Sequence, residues 1–135
     1  MKIEVSGFGT KKRKLEKSLE KLSVHLGIEG RLVVRKLKMT SENKYGFAYQ
    51  MLGHNGICIF NDCPDEMLSI VLSHEMIHVH QEVRGDLKHD FERGIFWWKG
   101  EAFDEAKLNT MEYYSRLWEA EDKFLEKKLA ENFFI

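Results

Sequence analysis

The chain has 135 residues, 43% of them hydrophobic and 32% charged, with a net charge of -1 at neutral pH. That length suits one domain, residues 1–135, with a modest core. The near-zero charge sets up no field to recruit nucleic acid or an anionic membrane, and no apolar run approaches the roughly 18–20 residues of a membrane span. The N-terminal residues carry no secretory signal, so the expectation is a cytoplasmic protein whose two cysteines, Cys58 and Cys63, stay reduced.

Ile3 to Val5, followed by Ser6-Gly7-Phe8-Gly9, reads as an edge strand and turn. Thr10 then caps a helix to about Leu26 whose leucines at 15, 19, 22 and 26 share one face. Its basic run, Lys11 to Lys14, reads as a solvated face because Glu16 and Glu20 interleave it. Arg31 to Met39 and Tyr45 to Leu52 are strands by composition, and Gly53-His54-Asn55-Gly56 is the hairpin signal, with His54 as a turn residue. Ile57 to Phe60 returns as a strand. A central helix follows from Pro64 or Asp65 to about Arg84. Gly85 to Glu92 is a polar connector carrying His89, and Gly94 to Gly100 is a small aromatic strand or hairpin arm. From about Ala106 the chain favours helix, with Tyr113, Tyr114, Leu117, Trp118, Phe124, Leu125 and Leu129 on an apolar face.

The central helix contains His74-Glu75-Met76-Ile77-His78, an H-E-x-x-H sequence. Residues four apart stack on one helix face, so His74 and His78 can aim two imidazole nitrogens at one point. Zinc accepts imidazole nitrogen, and a catalytic zinc keeps a position open for water. Glu75 leans over the same site as a general base for that water. Apolar flanks such as Leu68, Ile70, Val71, Leu72 and Val79 put the helix inside a domain, where histidines and a glutamate are costly to bury unless something satisfies them.

The order of elements, with His74-Glu-Met-Ile-His-Val-His-Gln81, Trp97-Trp-Lys-Gly100 and Tyr114…Leu117-Trp-Glu-Ala-Glu121, resembles the small zinc metallopeptidase domains called minigluzincins. In particular it resembles a phage-associated group with a WRG-like segment and a P-W-E-x-E-A segment. The resemblance covers roughly residues 57 to 125. It implies an α+β zincin-like fold, with a mostly antiparallel sheet packed on a central H-E-x-x-H helix between an N-terminal and a C-terminal helix. It also implies Zn2+, the hydrolysis of a peptide or protein substrate, and a third metal ligand that is a glutamate on a later helix. Two positions depart from the pattern: Leu117 stands where the proline usually is, and Asp122 where a small alanine is usual.

For the third ligand, the motif match points to Glu119. A helical wheel run continuously from Tyr114 points instead to Glu121, amid Tyr114, Leu117, Trp118, Phe124 and Leu125, and sets Glu119 on a face with Asp122, Lys123 and Glu126. Tyr113, Tyr114 and His89 are candidate donors to an oxyanion. As in similar enzymes, the strand just before the helix, Ile57 to Phe60, is expected to be an exposed edge that pairs with extended substrate. Two other functions fit the sequence: a zincin-fold binding or regulatory module without turnover, and a SprT-like protease acting on nucleoprotein. The intact Glu75 argues against the first and the near-neutral charge against the second.

Overall fold

A four-stranded sheet in the order β1-β2-β4-β3 forms the base on which the helices stand. The structure is a computed structural model that describes residues 1–90, 92–112 and 116–134. Its strands are β1 (Lys2–Ser6), β2 (Arg31–Lys36), β3 (Gly46–Met51) and β4 (His54–Ile59). β1 and β2 run parallel, as do β2 and β4, while β3 and β4 form an antiparallel hairpin. Parallel neighbours need a crossover, and between β1 and β2 the helix α1 (Lys12–Leu26) supplies it. A second sheet, wholly antiparallel, joins β5 (Leu87–Asp90), β6 (Ile95–Trp98) and β7 (Glu101–Phe103) in that order. The fold is α+β, and among the described residues three of five strand pairings are antiparallel.

Helix α1 buries Leu15, Leu19 and Leu22, and leaves Lys11 to Lys14 exposed. The helix start differs from expectation. Thr10 lies inside a short 3-10 turn, Gly9–Lys11, and the helix has no side-chain cap. Helix α2 (Leu68–Val83) is the central one. Leu72, Met76, Ile77 and Val79 are buried, together with Leu32 and Val34 of β2 and Ile57 and Ile59 of β4. Helix α4 (Leu117–Phe133) closes the other side of α2 and adds Leu129 to the same core. Between the small sheet and α4 lies the short helix α3 (Glu105–Asn109), capped by the Asp104 carboxylate, which accepts from Lys107 N. Among the described residues no helix is long and apolar enough to cross a membrane.

Four further expectations change. The hairpin turns at Leu52-Gly53, so His54 is a strand residue opposite Met51. Gly53 takes the left-handed φ of +91° that the turn requires. Gly56 lies in β4 across from Tyr49, where an added Cβ would fall 1.9 Å from that ring. The glycine makes room for an aromatic cover and does not make the turn. The connector after α2 contains a strand, β5, zipped onto the aromatic β6. Strand β4 is not an edge: it pairs with β2 on one side and β3 on the other, and its Ile57 and Ile59 are wholly buried. The edge beside α2 is β3. Both cysteines are free and buried.

Leu52, at the hairpin tip, is fully exposed, whereas Leu72 is fully buried. Leu72→Ala should therefore cost about 2–5 kcal/mol of unfolding free energy. Leu52→Ser should stay within about 0.5 kcal/mol of wild type in denaturant titration.

Candidate metal centre

Helix α2 turns His74 and His78 toward α4 and sets Glu75 and His78 along a cleft beside β3. The His74 and His78 Nε2 atoms stand 3.2 Å apart. Each imidazole is held from behind. His78 Nδ1 lies 2.8 Å from Gln81 Oε1, and His74 Nδ1 lies 2.6 Å from Glu126 Oε2. An amide oxygen and a carboxylate can only accept, so both Nδ1 atoms carry a proton, and in the neutral rings both Nε2 lone pairs face one point.

Helix α4 brings the carboxylates. It begins at Leu117, and its first turn is pinned by Trp118, which is buried with Leu87, Trp98, Phe103 and Leu108. Gln81 joins the two helices there: while Oε1 accepts from His78, Nε2 donates to the Trp118 carbonyl at 2.9 Å. Glu119 comes next. Its oxygens lie 3.0 Å from His78 Nε2 and 3.3 Å from His74 Nε2. One turn on, Asp122 Oδ2 lies 3.0 Å from His78 Nε2. Glu121 points elsewhere, held by Gln81 and by two hydrogen bonds from Arg84 Nη2 at 2.7 and 2.9 Å.

His74, His78, Glu119 and Asp122 can hold a metal ion, each offering a ligand atom within 4.8 Å of the others. Donors about 2.0–2.2 Å from one tetrahedral ion stand roughly 3.3–3.6 Å from one another, close to the separations found. Glu119 Oε2 and both Asp122 oxygens are buried without a hydrogen-bond partner, although nitrogens lie nearby. Buried carboxylate oxygens with nothing donating to them are expensive. A cation would take one oxygen from each of Glu119 and Asp122 beside the two Nε2 atoms, so the donor set fits a metal.

Without an ion the charges must share protons. Burial opposes protonation of His74, yet Glu119 and Glu126 beside it raise its pKa to about 11. Burial likewise opposes protonation of His78, and Glu119 and Asp122 bring it up to about 9. Burial pushes against ionisation of Glu119, but His74 and His78 hold it down to about 2. Asp122 is raised well above the usual carboxylate range by burial.

The cleft has a volume of about 250 Å³ and runs past Glu75, His78 and Glu119 to Glu82, Leu87 and His89. Gly46, Phe47 and Ala48 of the β3 edge line its other side. Glu75 is 4% exposed and its Oε2 has no hydrogen-bond partner. Burial pushes its carboxyl up, against the pull of His78 and His74. His89 stacks on Phe96 with ring centroids 3.8 Å apart, and its pKa is lowered by burial. Tyr113 and Tyr114, the other oxyanion candidates, lie outside the described residues.

The structure thus brings together His74, His78 and Glu119, sets Glu75 at the cleft, and leaves Glu121 on the rim. The wheel's choice of Glu121 required a helix continuous from Tyr114, and α4 begins three residues later. Its apolar face is also different, since Leu117 and Phe124 are largely exposed. Asp122, Glu126, Gln81, Glu82 and Arg116 are neighbours of the site that the sequence reading did not assign. The signal for two of them was present: Glu119, Asp122 and Glu126 recur at helical spacing, a stripe that reads as solvated until histidines face it. Arg116, beside the cleft, has no such signal.

Comparison with protein-family models, characterised proteins and solved structures finds no match.

Glu119→Gln should reduce metal affinity by more than the roughly 10–100-fold of an outer-shell change, Gln81→Ala by about that 10–100-fold, and Glu121→Gln little. Chelator competition measures all three. Metal-stripped protein should also lose stability as pH rises. The His78 pKa goes from its ordinary 6.5 up to about 9 in the fold, so the folded state holds the extra proton in that window. The melting temperature should fall between those pH values, while metal affinity, which needs neutral imidazoles, rises. A melting temperature that climbs over that range would contradict the assignment.

Proposed function

We propose that this protein is a zinc-dependent peptidase. The observation that carries the reading is Glu75: it borders the cleft beside the four-residue cluster without belonging to it, as a general base must. A zinc ion in the cluster would polarise the scissile carbonyl and make water acidic enough to deprotonate near neutral pH. The rest falls to the chain. An extended peptide can pair with the free edge of β3, which runs along the cleft. Glu75 takes a proton from the attacking water and can pass it to the leaving amine. Its raised pKa moves it toward the range where it can do both. His89 and Arg116, both lining the cleft, are the cleft-side donors for a developing oxyanion. The free, buried cysteines suit a reducing compartment, and the cytoplasm is the proposed location.

Asp122 favours a second reading. Four protein donors close a tetrahedral site, and closed sites are structural. If Asp122 binds the ion together with Glu119, the protein is a metal-stabilised binding module with no position left for chemistry.

Glu75→Gln separates the two. In the peptidase it should keep one zinc per chain and lose about 10²–10⁴-fold in peptide hydrolysis, followed on a mixed peptide library by mass spectrometry. No cleavage by the wild type, together with a melting temperature that collapses in Asp122→Asn as zinc is lost, would establish the structural site instead.

A further inference from the structure

Glu82 has no role in the centre described above, yet it stands one turn past His78 on α2 and lines the same cleft. Its Oε2 is buried without a hydrogen-bond partner, and no ion pair reaches it among the described residues. Burial raises its carboxyl to about 7, with His78 pulling it down and Glu75 pushing it up. A carboxylate set in a wall of protein with no cation of its own is costly. Leu87 lines the cleft with it, and His89, Phe96 and Trp118 form a stacked wall, with Phe96 and Trp118 centroids 5.4 Å apart and nearly parallel; Lys44 and Arg116 also line the cleft, but neither forms a hydrogen bond with the Glu82 Oε2.

We propose that the Glu82 end of the cleft is a specificity subsite for a positively charged substrate side chain, with arginine the best fit. The proposal rests on the peptidase reading for its substrate but not for its chemistry. Four residues of helix rise separate His78 from Glu82, about 6 Å. That span suits the methylene stem of a basic side chain whose backbone sits at the metal and whose head meets the carboxylate. Apolar walls take the stem. The planar guanidinium forms charge-assisted hydrogen bonds with the carboxylate and lies well against aromatic rings. The subsite would discriminate by charge: a neutral side chain of the same shape leaves Glu82 buried and unpaired, which is the stronger basis for selection.

The test compares Nα-acetyl-arginine amide with its neutral isostere Nα-acetyl-citrulline amide, titrated into the zinc-loaded protein by NMR. Arginine amide should bind at least about tenfold tighter, and Glu82→Gln should bring the ratio to about one with zinc content unchanged. Equal binding of the two, no binding of either, or a ratio that survives in a folded Glu82→Gln variant overturns the subsite. Should that variant not fold, the wild-type ratio alone decides. The same protein is then given the peptide library. Cleavage without preference for arginine or lysine at any position refutes the subsite and leaves the peptidase standing. Arginine-selective binding without cleavage keeps the subsite and refutes the peptidase.

Discussion

Two histidines from α2 and a row of carboxylates from α4 meet in a space almost closed to water, and that meeting is the constraint on which the rest of the fold depends. Ionised groups taken out of water cost several kcal/mol each unless their partners are placed well. Here Asp122 is wholly buried and Glu119 nearly so. The metal-free protein meets the cost with protons, which is why both imidazoles become far stronger bases than usual. A metal ion held by His74, His78, Glu119 and Asp122 would do the same job without protons. The interface between α2 and α4 is therefore a polar clamp in the middle of the molecule, and the apolar core beneath it holds the two helices at the required distance.

The second sheet has its purpose in that clamp. Strands β5, β6 and β7 contribute little to the main core, and their buried residues form a separate cluster around Trp118. By trapping the residue next to Glu119, the aromatic cluster sets the start and the rotation of α4. Gln81 fixes the same point from α2, with one amide group reaching both the His78 ring and the Trp118 carbonyl. Glu119 and Glu121 point about 200° apart on the helix, so the rotation of α4 decides which of them faces the histidines. Arg84 holds Glu121 outside. The side of the cleft nearest Glu82 is built from the same aromatic residues, so ligand geometry and cleft shape share one set of supports.

Much of this was legible in the sequence, for identifiable reasons. The leucine spacing of α1 is a periodic signal, the apolar flanks of α2 mark a buried helix, and His74, Glu75 and His78 lie within five residues, so local geometry alone brings them together. What was not legible depends on distant contacts. Gly56 reads as a turn residue until Tyr49 is seen across the ladder. Residues 87–90 read as a polar loop because a strand this short owes its existence to pairing with Ile95–Trp98. The carboxylate stripe of α4 reads as a solvated face because charges at helical spacing usually are one, and only the facing histidines reverse that inference. Exposed Phe124 is the other half of the same rotation.

Asp122 is where structure and chemistry bear on each other most directly. Two ionised carboxylates beside two neutral imidazoles would cancel the charge of a divalent ion and weaken its polarising power. A protonated Asp122 would leave the centre net positive and a stronger Lewis acid. Burial drives Asp122 toward its neutral form, whereas an ion within reach drives it the other way. The imidazoles are also unequal. His78 is backed by a neutral amide and His74 by the Glu126 carboxylate, which makes His74 the stronger electron donor. Glu126 thus supplies negative charge one shell out, where it strengthens a ligand without occupying a coordination position. With Asp122 neutral, a bound ion would keep a net charge and a free position on the side of Glu75. With Asp122 ionised and bound, both would be given up for stability, so the protonation of one buried side chain would separate the two readings of the site.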